Sequence, residues 1–142
     1  MYGDTRVVRG LAATLRDQAG EIAHEADDLV ALAEECPWSG WAADAMRRRS
    51  RERAAVLRRT AGDHRDAADA LAHHADEVDR VKELIAAIET KVLGLVAAAR
   101  DRLGELVREV LPDRADELLD RFVPPPSGHR AWLDVDLPGL RR

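Results

Sequence analysis

The residues best suited to chemistry are two adjacent histidines, His73 and His74, followed by Asp76 and Glu77. Imidazole and carboxylate groups are common ligands of transition metals. Ligands on one face of a helix lie three or four residues apart, whereas neighbouring residues point about 100° apart. Because the two histidines are adjacent, they cannot readily chelate one ion. We therefore expect no metal site and no bound cofactor.

The candidate nucleophiles lack the neighbours that covalent catalysis requires. Ser39, Ser50 and Ser127 occur without a nucleophile-elbow motif. Cys36, the only cysteine, precedes a proline and has no histidine near it in the sequence. A glycine-rich phosphate-binding loop is also missing from the sequence. We expect that the protein is not an enzyme and that Cys36 fills a small apolar space.

Five arginines between Arg47 and Arg53 form a basic cluster that could bind phosphate groups. Two observations argue against this use. No aromatic residue interleaves with the arginines, although stacking usually accompanies single-strand binding. Residues 1–40 carry a net charge of -5, and residues 41–62 carry +5. The opposite charges favour pairing of the two segments, and nucleic-acid binding through Arg47 to Arg53 is kept as an alternative.

The composition predicts one folded helical domain. The chain has 142 residues, of which 46% are apolar and 35% are charged. Strand signals are missing, and Ala, Leu, Arg, Asp and Glu dominate from Asp4 to Phe122. No stretch approaches the roughly 20 apolar residues of a membrane span, and the start lacks a basic region followed by an apolar one. We expect an all-α protein with no membrane span and no general secretory signal.

Small and apolar residues recur three or four residues apart in two segments, which is typical of packed helices. The sequence Cys36-Pro37-Trp38-Ser39-Gly40 separates them, because a residue before proline disfavours the helical region and glycine relaxes the turn. This short connection predicts an antiparallel helical hairpin over residues 1–80. We expect a small, alanine-rich seam that includes Ala19, Ala26 and Ala33 on the first helix and Ala54, Ala61, Ala68 and Ala75 on the second. The aliphatic residues of the seam, which are also the predicted partner interface, are Val8, Leu15, Ile22, Leu29, Leu57 and Leu71.

The helical pattern continues past the point where the first helix runs out of length. Residues 81–123 are predicted to form a C-terminal helical extension that packs on the hairpin or on a partner. Three arrangements satisfy its aliphatic stretch: folding back near residues 90–94, extending as a rod that needs a partner, or self-association. A helix end is predicted at Leu111-Pro112. Asp113 is predicted to cap a short helix that runs through Phe122.

The last segment, residues 124–142, begins with a stiff proline-rich spacer and continues as an apolar tail. The tail is too apolar to be solvated along its whole length and too short to fold alone. We expect Trp132 to dock on this chain or on a partner. The complete prediction is a bundle-like arrangement of the hairpin, additional C-terminal helices and an extended tail.

The tripeptide Trp38-Ser39-Gly40 lies at the predicted bend after about 35 helical residues. In this position it resembles the turn of the WXG family, small helical-hairpin proteins linked to type VII (ESX-like) secretion. The following Trp41 to Arg47 is similar to the small-residue start of that family's second helix. The resemblance covers about residues 4–80 and maps Trp38 and Gly40 onto the family's turn tryptophan and glycine. The use of 20 arginines against two lysines is similar to that of high-GC actinobacterial proteins.

The resemblance implies a non-catalytic interaction protein. Members of the family pair as antiparallel hairpins into four-helix homo- or heterodimers, and they are exported folded or escort a larger effector. It thus implies a type VII secretion substrate or adaptor, cytoplasmic before export and secreted or on the cell surface afterwards, with a helical protein or effector as partner. The alternative is a structural interaction module with a coincidental W-x-G.

The family's export signal is a tyrosine followed four residues later by an acidic residue, placed after the second helix. The only tyrosine of this chain is Tyr2, at the opposite end. His73 and Glu77 have the spacing of the signal but not its phenol ring. The resemblance therefore implies that a partner supplies the signal, and a secretion ATPase is a candidate further partner.

Overall fold

The computed structural model describes residues 4–105 and 113–140. Within these ranges the chain is all-α, as predicted, and contains no strand. It divides into two compact units, which we call the hairpin unit (Asp4–Glu77) and the C-terminal unit (from Val78 onward). The long second helix contributes residues to both units. The elements are α1 (Thr5–Glu35), α2 (Trp41–Glu105), α3 (Arg114–Asp120) and a 3₁₀ helix (Arg130–Asp134).

Helix α1 begins and ends at residues that the sequence marks. The Asp4 carboxylate accepts a hydrogen bond from the Arg6 amide at 2.9 Å and so caps the first turn. The helix ends at Glu35 because Cys36 precedes Pro37 and adopts an extended conformation, with φ -63° and ψ 119°. A five-residue connection therefore separates α1 from α2.

The fully buried side chains of the hairpin unit are small and repeat every seven residues. We call the two rows of alanines the alanine seam, and each of these residues is at most 6% exposed. Because alanine carries only a methyl group, seam positions of this kind allow helix axes to approach toward the short end of the usual range of about 8 to 10 Å. The seam consists of Ala12, Ala19, Ala26 and Ala33 on α1 and Ala54, Ala61, Ala68 and Ala75 on α2.

The alanine-rich seam predicted from the sequence is confirmed by the burial of these residues. The six aliphatic residues predicted for the seam and the partner interface are half-buried, and alanines take the fully buried positions. The aliphatic residues therefore flank the seam. They are Val8, Leu15, Ile22, Leu29, Leu57 and Leu71.

Several ion pairs in the described part of the chain join α1 to α2, and four of them follow the antiparallel register. In each of these four pairs the two residue numbers add up to 85, so the register stays constant along the hairpin unit. The pairs are Arg9–Asp76 at 2.8 Å, Arg16–Asp69 at 2.7 Å, Asp27–Arg58 at 2.7 Å, and Glu34–Arg51.

The sign of the charge changes along each helix of the hairpin unit. The paired basic residues of α1 precede its paired acidic residues, and the same order holds in α2. Antiparallel packing therefore places opposite charges side by side, whereas parallel packing would oppose like charges. Each pair is largely exposed and contributes only about 0 to 1 kcal/mol. The pairs thus select orientation more than they add stability.

The C-terminal unit has a core of large side chains. Helix α2 is uninterrupted through residues 90–94, so the chain does not fold back there. Instead, the aliphatic stretch of α2 is covered by α3 and by the tail of the same chain. The predicted helix end at Leu111-Pro112 lies outside the described residues. The buried cluster consists of Ile85, Val92, Val96 and Ala99 on α2, Leu119 on α3, and Trp132 and Val135 in the tail.

Trp132 holds the tail in place. Its ring is buried in the core and lies 6.5 Å from the Phe122 ring at an interplanar angle of 56°. The indole Nε1 donates a hydrogen bond to the Pro126 carbonyl at 3.0 Å, so the polar edge of the ring is satisfied. The Gly128 amide donates to Glu89 Oε2 on α2 at 3.1 Å. The tail therefore docks on this chain.

Helix α3 is attached to α2 by charged side chains. Asp113 caps it, as predicted, by accepting a hydrogen bond from the Ala115 amide at 3.2 Å. Arg102 Nε donates to Asp116 Oδ2 at 3.0 Å, and this hydrogen bond from the guanidinium lowers the pKa of the Asp116 carboxyl below its usual value of 3.8. The ionised form of Asp116 is thus favoured in the folded chain.

The Arg102–Asp116 pair predicts a loss of stability in acid. Because the folded pKa of Asp116 is lowered, its contribution is complete above pH 3.8 and is lost as the pH falls through the lower folded value. We expect Asp116→Asn to lower the thermal midpoint at pH 7 and to flatten its pH dependence below about pH 4. Circular dichroism melts measure both effects. Asp134→Asn, at an exposed carboxyl, is the control, and equal pH dependence in the two variants would contradict the assignment.

Candidate interaction surfaces of the hairpin unit

The two long sides of the hairpin unit differ in chemistry. Each ion-paired residue lies three positions before or one position after an alanine of the seam, whereas each of the six aliphatic residues lies four positions before one. At about 100° per residue, these two sets point to opposite sides of the seam. The two antiparallel helices are related by a two-fold axis that is perpendicular to the plane containing both helix axes. Rotation about this axis exchanges the helices but leaves each row of side chains on its own side of that plane. One side therefore carries the ion pairs, and the other carries the aliphatic rows.

We call the aliphatic side the apolar face. It contains all six residues predicted as the partner interface, and the structure brings them together along one side. His64 lies between Leu57 and Leu71 in the α2 row, and its Nδ1 lies 2.9 Å from the Thr60 carbonyl oxygen. At the edge of the face, Leu11 is 55% exposed and Leu32 is 69% exposed. The face consists of Val8, Leu15, Ile22, Leu29, Leu57 and Leu71.

The two residues of the predicted turn motif lie in the connection between α1 and α2. Gly40 has φ +100°, a conformation that side chains bearing a Cβ rarely adopt. Its carbonyl accepts the hydrogen bond from the Asp44 amide at 3.0 Å, which starts α2. Trp38 is 56% exposed, and Trp41 at the start of α2 is 86% exposed. The connection thus presents two indole rings to the surroundings.

Arg47 organises this connection, although its role was not apparent from the sequence. Its guanidinium donates hydrogen bonds to the carbonyl oxygens of Ala33 at 3.2 Å, Cys36 at 2.9 Å and Trp38 at 2.7 Å. The side chain is only 19% exposed. The last carbonyls of a helix lack partners within it, and a cation at that end also complements the helix dipole. Arg47 therefore satisfies the end of α1 and holds the connection to α2.

A groove of about 690 Å³ lies beside the connection, and we call it the bend groove. Its apolar surface comes from Leu29, Trp38, Trp41 and Met46, together with small residues of α2. Its charged lining residues are all on α2. They are Arg48, Arg49, Glu52 and Arg53.

The residues first considered for chemistry are not assembled into a reactive site. His73 and Glu77 are both exposed, with His73 Nδ1 3.8 Å from Glu77 Oε2. Within residues 4–105 and 113–140, no three His, Cys, Asp or Glu side chains are grouped as metal ligands would be. Cys36 is a half-buried free thiol in the connection. The surfaces with distinctive chemistry are therefore the apolar face and the bend groove.

Comparison with family models, with curated proteins and with solved structures finds no match to this chain. The resemblance carried by Trp38 and Gly40 thus stays a prediction from the sequence. None of the helices in the described part of the chain combines the length and hydropathy that crossing a membrane requires.

Removing Arg47 tests its role at the connection. Arg47→Ala leaves three carbonyl oxygens without their charged donor, and we expect the free energy of unfolding to fall by about 2 kcal/mol. Urea denaturation followed by circular dichroism measures this change. Arg48→Ala, at the next residue, removes an exposed arginine and should change stability by less than about 0.5 kcal/mol. Equal effects of the two substitutions would show that Arg47 is an ordinary surface residue.

Proposed function

We propose that the protein is a non-catalytic interaction protein whose hairpin unit pairs with helices of another chain through the apolar face. In the setting that the sequence resemblance implies, it acts as a substrate or adaptor of type VII secretion. The observation that carries this proposal is the placement of two aliphatic rows on the same side of one hairpin. A half-buried row on each of two adjacent helices is the surface that a second pair of helices covers in a four-helix bundle.

The energetics of the apolar face support a partner. Completing the burial of a half-buried aliphatic side chain stabilises a complex by about 1 kcal/mol. Both chains contribute such residues, so their sum can offset an association cost of about 4 to 15 kcal/mol. In the C-terminal unit, by contrast, the chain's own tail covers the aliphatic stretch of α2. The aliphatic rows of the hairpin unit, which the chain itself leaves half-buried, are therefore the surface that a partner can bury further.

The connection between the helices supports the secretion setting. Trp38 and Gly40 lie between the end of α1 and the start of α2, where the resemblance requires them. The tyrosine-based signal is missing after the hairpin. We propose that the partner supplies this signal, so that pairing through the apolar face precedes export.

A single charge on the apolar face tests the pairing. We expect a 1:1 complex of hairpins either in the purified chain or after co-expression with a small helical protein encoded beside it. Leu15→Asp places a carboxylate on the face and should reduce the affinity by about 100-fold. Ala13→Asp adds the same charge to α1 at an exposed position on the ion-paired side and should leave the complex intact. Light scattering after size-exclusion chromatography measures the mass of each sample.

Two further results distinguish a substrate or adaptor of type VII secretion from a purely structural module. A monomer in both samples, or a complex that survives Leu15→Asp, would favour a purely structural module with a coincidental W-x-G.

Export is measured by immunoblot of culture filtrate from cells with and without the type VII secretion ATPase. We expect the wild-type chain in the filtrate only when the ATPase is present, and Leu15→Asp in neither filtrate.

A further inference from the structure

The bend groove combines the side chains that dominate protein recognition sites. Trp38 and Trp41 are both more than half exposed, and they line the groove together with Met46 of α2. Tryptophan and arginine are the residues most enriched at energetic hot spots, and methionine adapts to irregular apolar surfaces. The groove therefore has an apolar floor that binds side chains and a charged rim that selects among them.

The arginines of this region fall into two groups. Arg47 and Arg51 are engaged by the end of α1, through carbonyl oxygens and through Glu34. Arg48, Arg49 and Arg53 line the groove and make no ion pair with any residue in the described part of the chain. Folding of the hairpin thus engages the charges of Arg47 and Arg51 at the end of α1. The other three arginines remain at the groove.

We propose that the bend groove binds an acidic amphipathic helix of a partner protein. The apolar side of that helix packs on Trp38, Trp41 and Met46, while its carboxylates pair with the three groove arginines. Helix-in-groove recognition uses this combination of apolar anchors and flanking charge. The groove shares Leu29 with the apolar face but is otherwise lined by residues of the connection and of α2, and its occupant is selected by charge.

The charges around the groove favour an acidic peptide over nucleic acid. Single-stranded nucleic acid binds along a continuous basic groove that follows several phosphates. Here Glu52 lies within the lining, and Glu34 and Glu35 stand at the adjacent end of α1. A phosphate backbone that follows the groove would meet the Glu52 carboxylate between the arginines of the lining. A short helix can place a few carboxylates opposite the arginines and end there.

The test uses the full chain and fluorescein-labelled peptides of about 18 residues. One peptide is an amphipathic helix of Leu, Ala and Glu, and its counterpart replaces every Glu by Lys. Fluorescence anisotropy should show saturable binding of the acidic peptide with a Kd below about 100 μM and no binding of the basic one. We expect Arg49→Glu with Arg53→Glu to weaken the acidic peptide by at least about tenfold.

The matched control is Arg59→Glu with Arg65→Glu, which makes the same charge change at exposed positions of α2 outside the groove. It should alter the Kd by less than about threefold. Leu15→Asp disrupts the apolar face and should leave peptide binding unchanged, which separates a failure of this proposal from a failure of the pairing. Circular dichroism confirms that each variant keeps its helices.

Four outcomes would overturn the proposal. They are the absence of saturable binding of the acidic peptide, equal binding of the basic peptide, equal effects of the two arginine pairs, and selective binding of an oligothymidine of about 16 nucleotides instead of the acidic peptide. The last outcome would assign the groove arginines to nucleic acid.

Discussion

The close approach of α1 and α2 along the alanine seam is the constraint on which the hairpin unit depends. Alanines occupy the fully buried positions of the seam, and the aliphatic side chains of the apolar face lie beside them. The seven-residue repeat places these aliphatic side chains on one side of the two helices and the ion pairs on the other. The opposite order of charge along facing helices then selects the antiparallel orientation. One packing constraint therefore produces both a folded hairpin and an open apolar face.

The two units bury apolar surface in different ways, and the difference bears on function. The C-terminal unit fills its core with large side chains around Trp132, using the tail of the same chain. The hairpin unit buries alanines and leaves its leucine-rich rows half-exposed. Its connection and the adjacent start of α2 add two exposed tryptophans and three arginines that make no ion pair in the described part of the chain. The side chains suited to binding a partner are thus found in the hairpin unit, whose buried side chains are smaller than those of the C-terminal unit.

Local signals in the sequence predicted the ends of several elements, because Pro37 and Asp113 act on their neighbouring residues. The alanine repeat was also visible, but a three-and-four spacing treats alanine and leucine alike, and only the helix separation distinguishes them. The covering of α2 by the tail depends on contacts between residues far apart in sequence, so periodicity left three arrangements open. Arg47 was hidden among five similar arginines, since its role depends on which carbonyls the connection brings near it.

The most direct test of the alanine seam is the stability of Ala61→Leu. A leucine at this fully buried position should force the helices apart and lower the free energy of unfolding by about 1 to 3 kcal/mol. Ala55→Leu, at an exposed position of the same helix, should change it by less than about 0.5 kcal/mol. Urea denaturation of the two variants measures the difference. An unchanged or increased stability of Ala61→Leu would show that the seam accommodates large side chains, which would contradict the close packing from which the apolar face is derived.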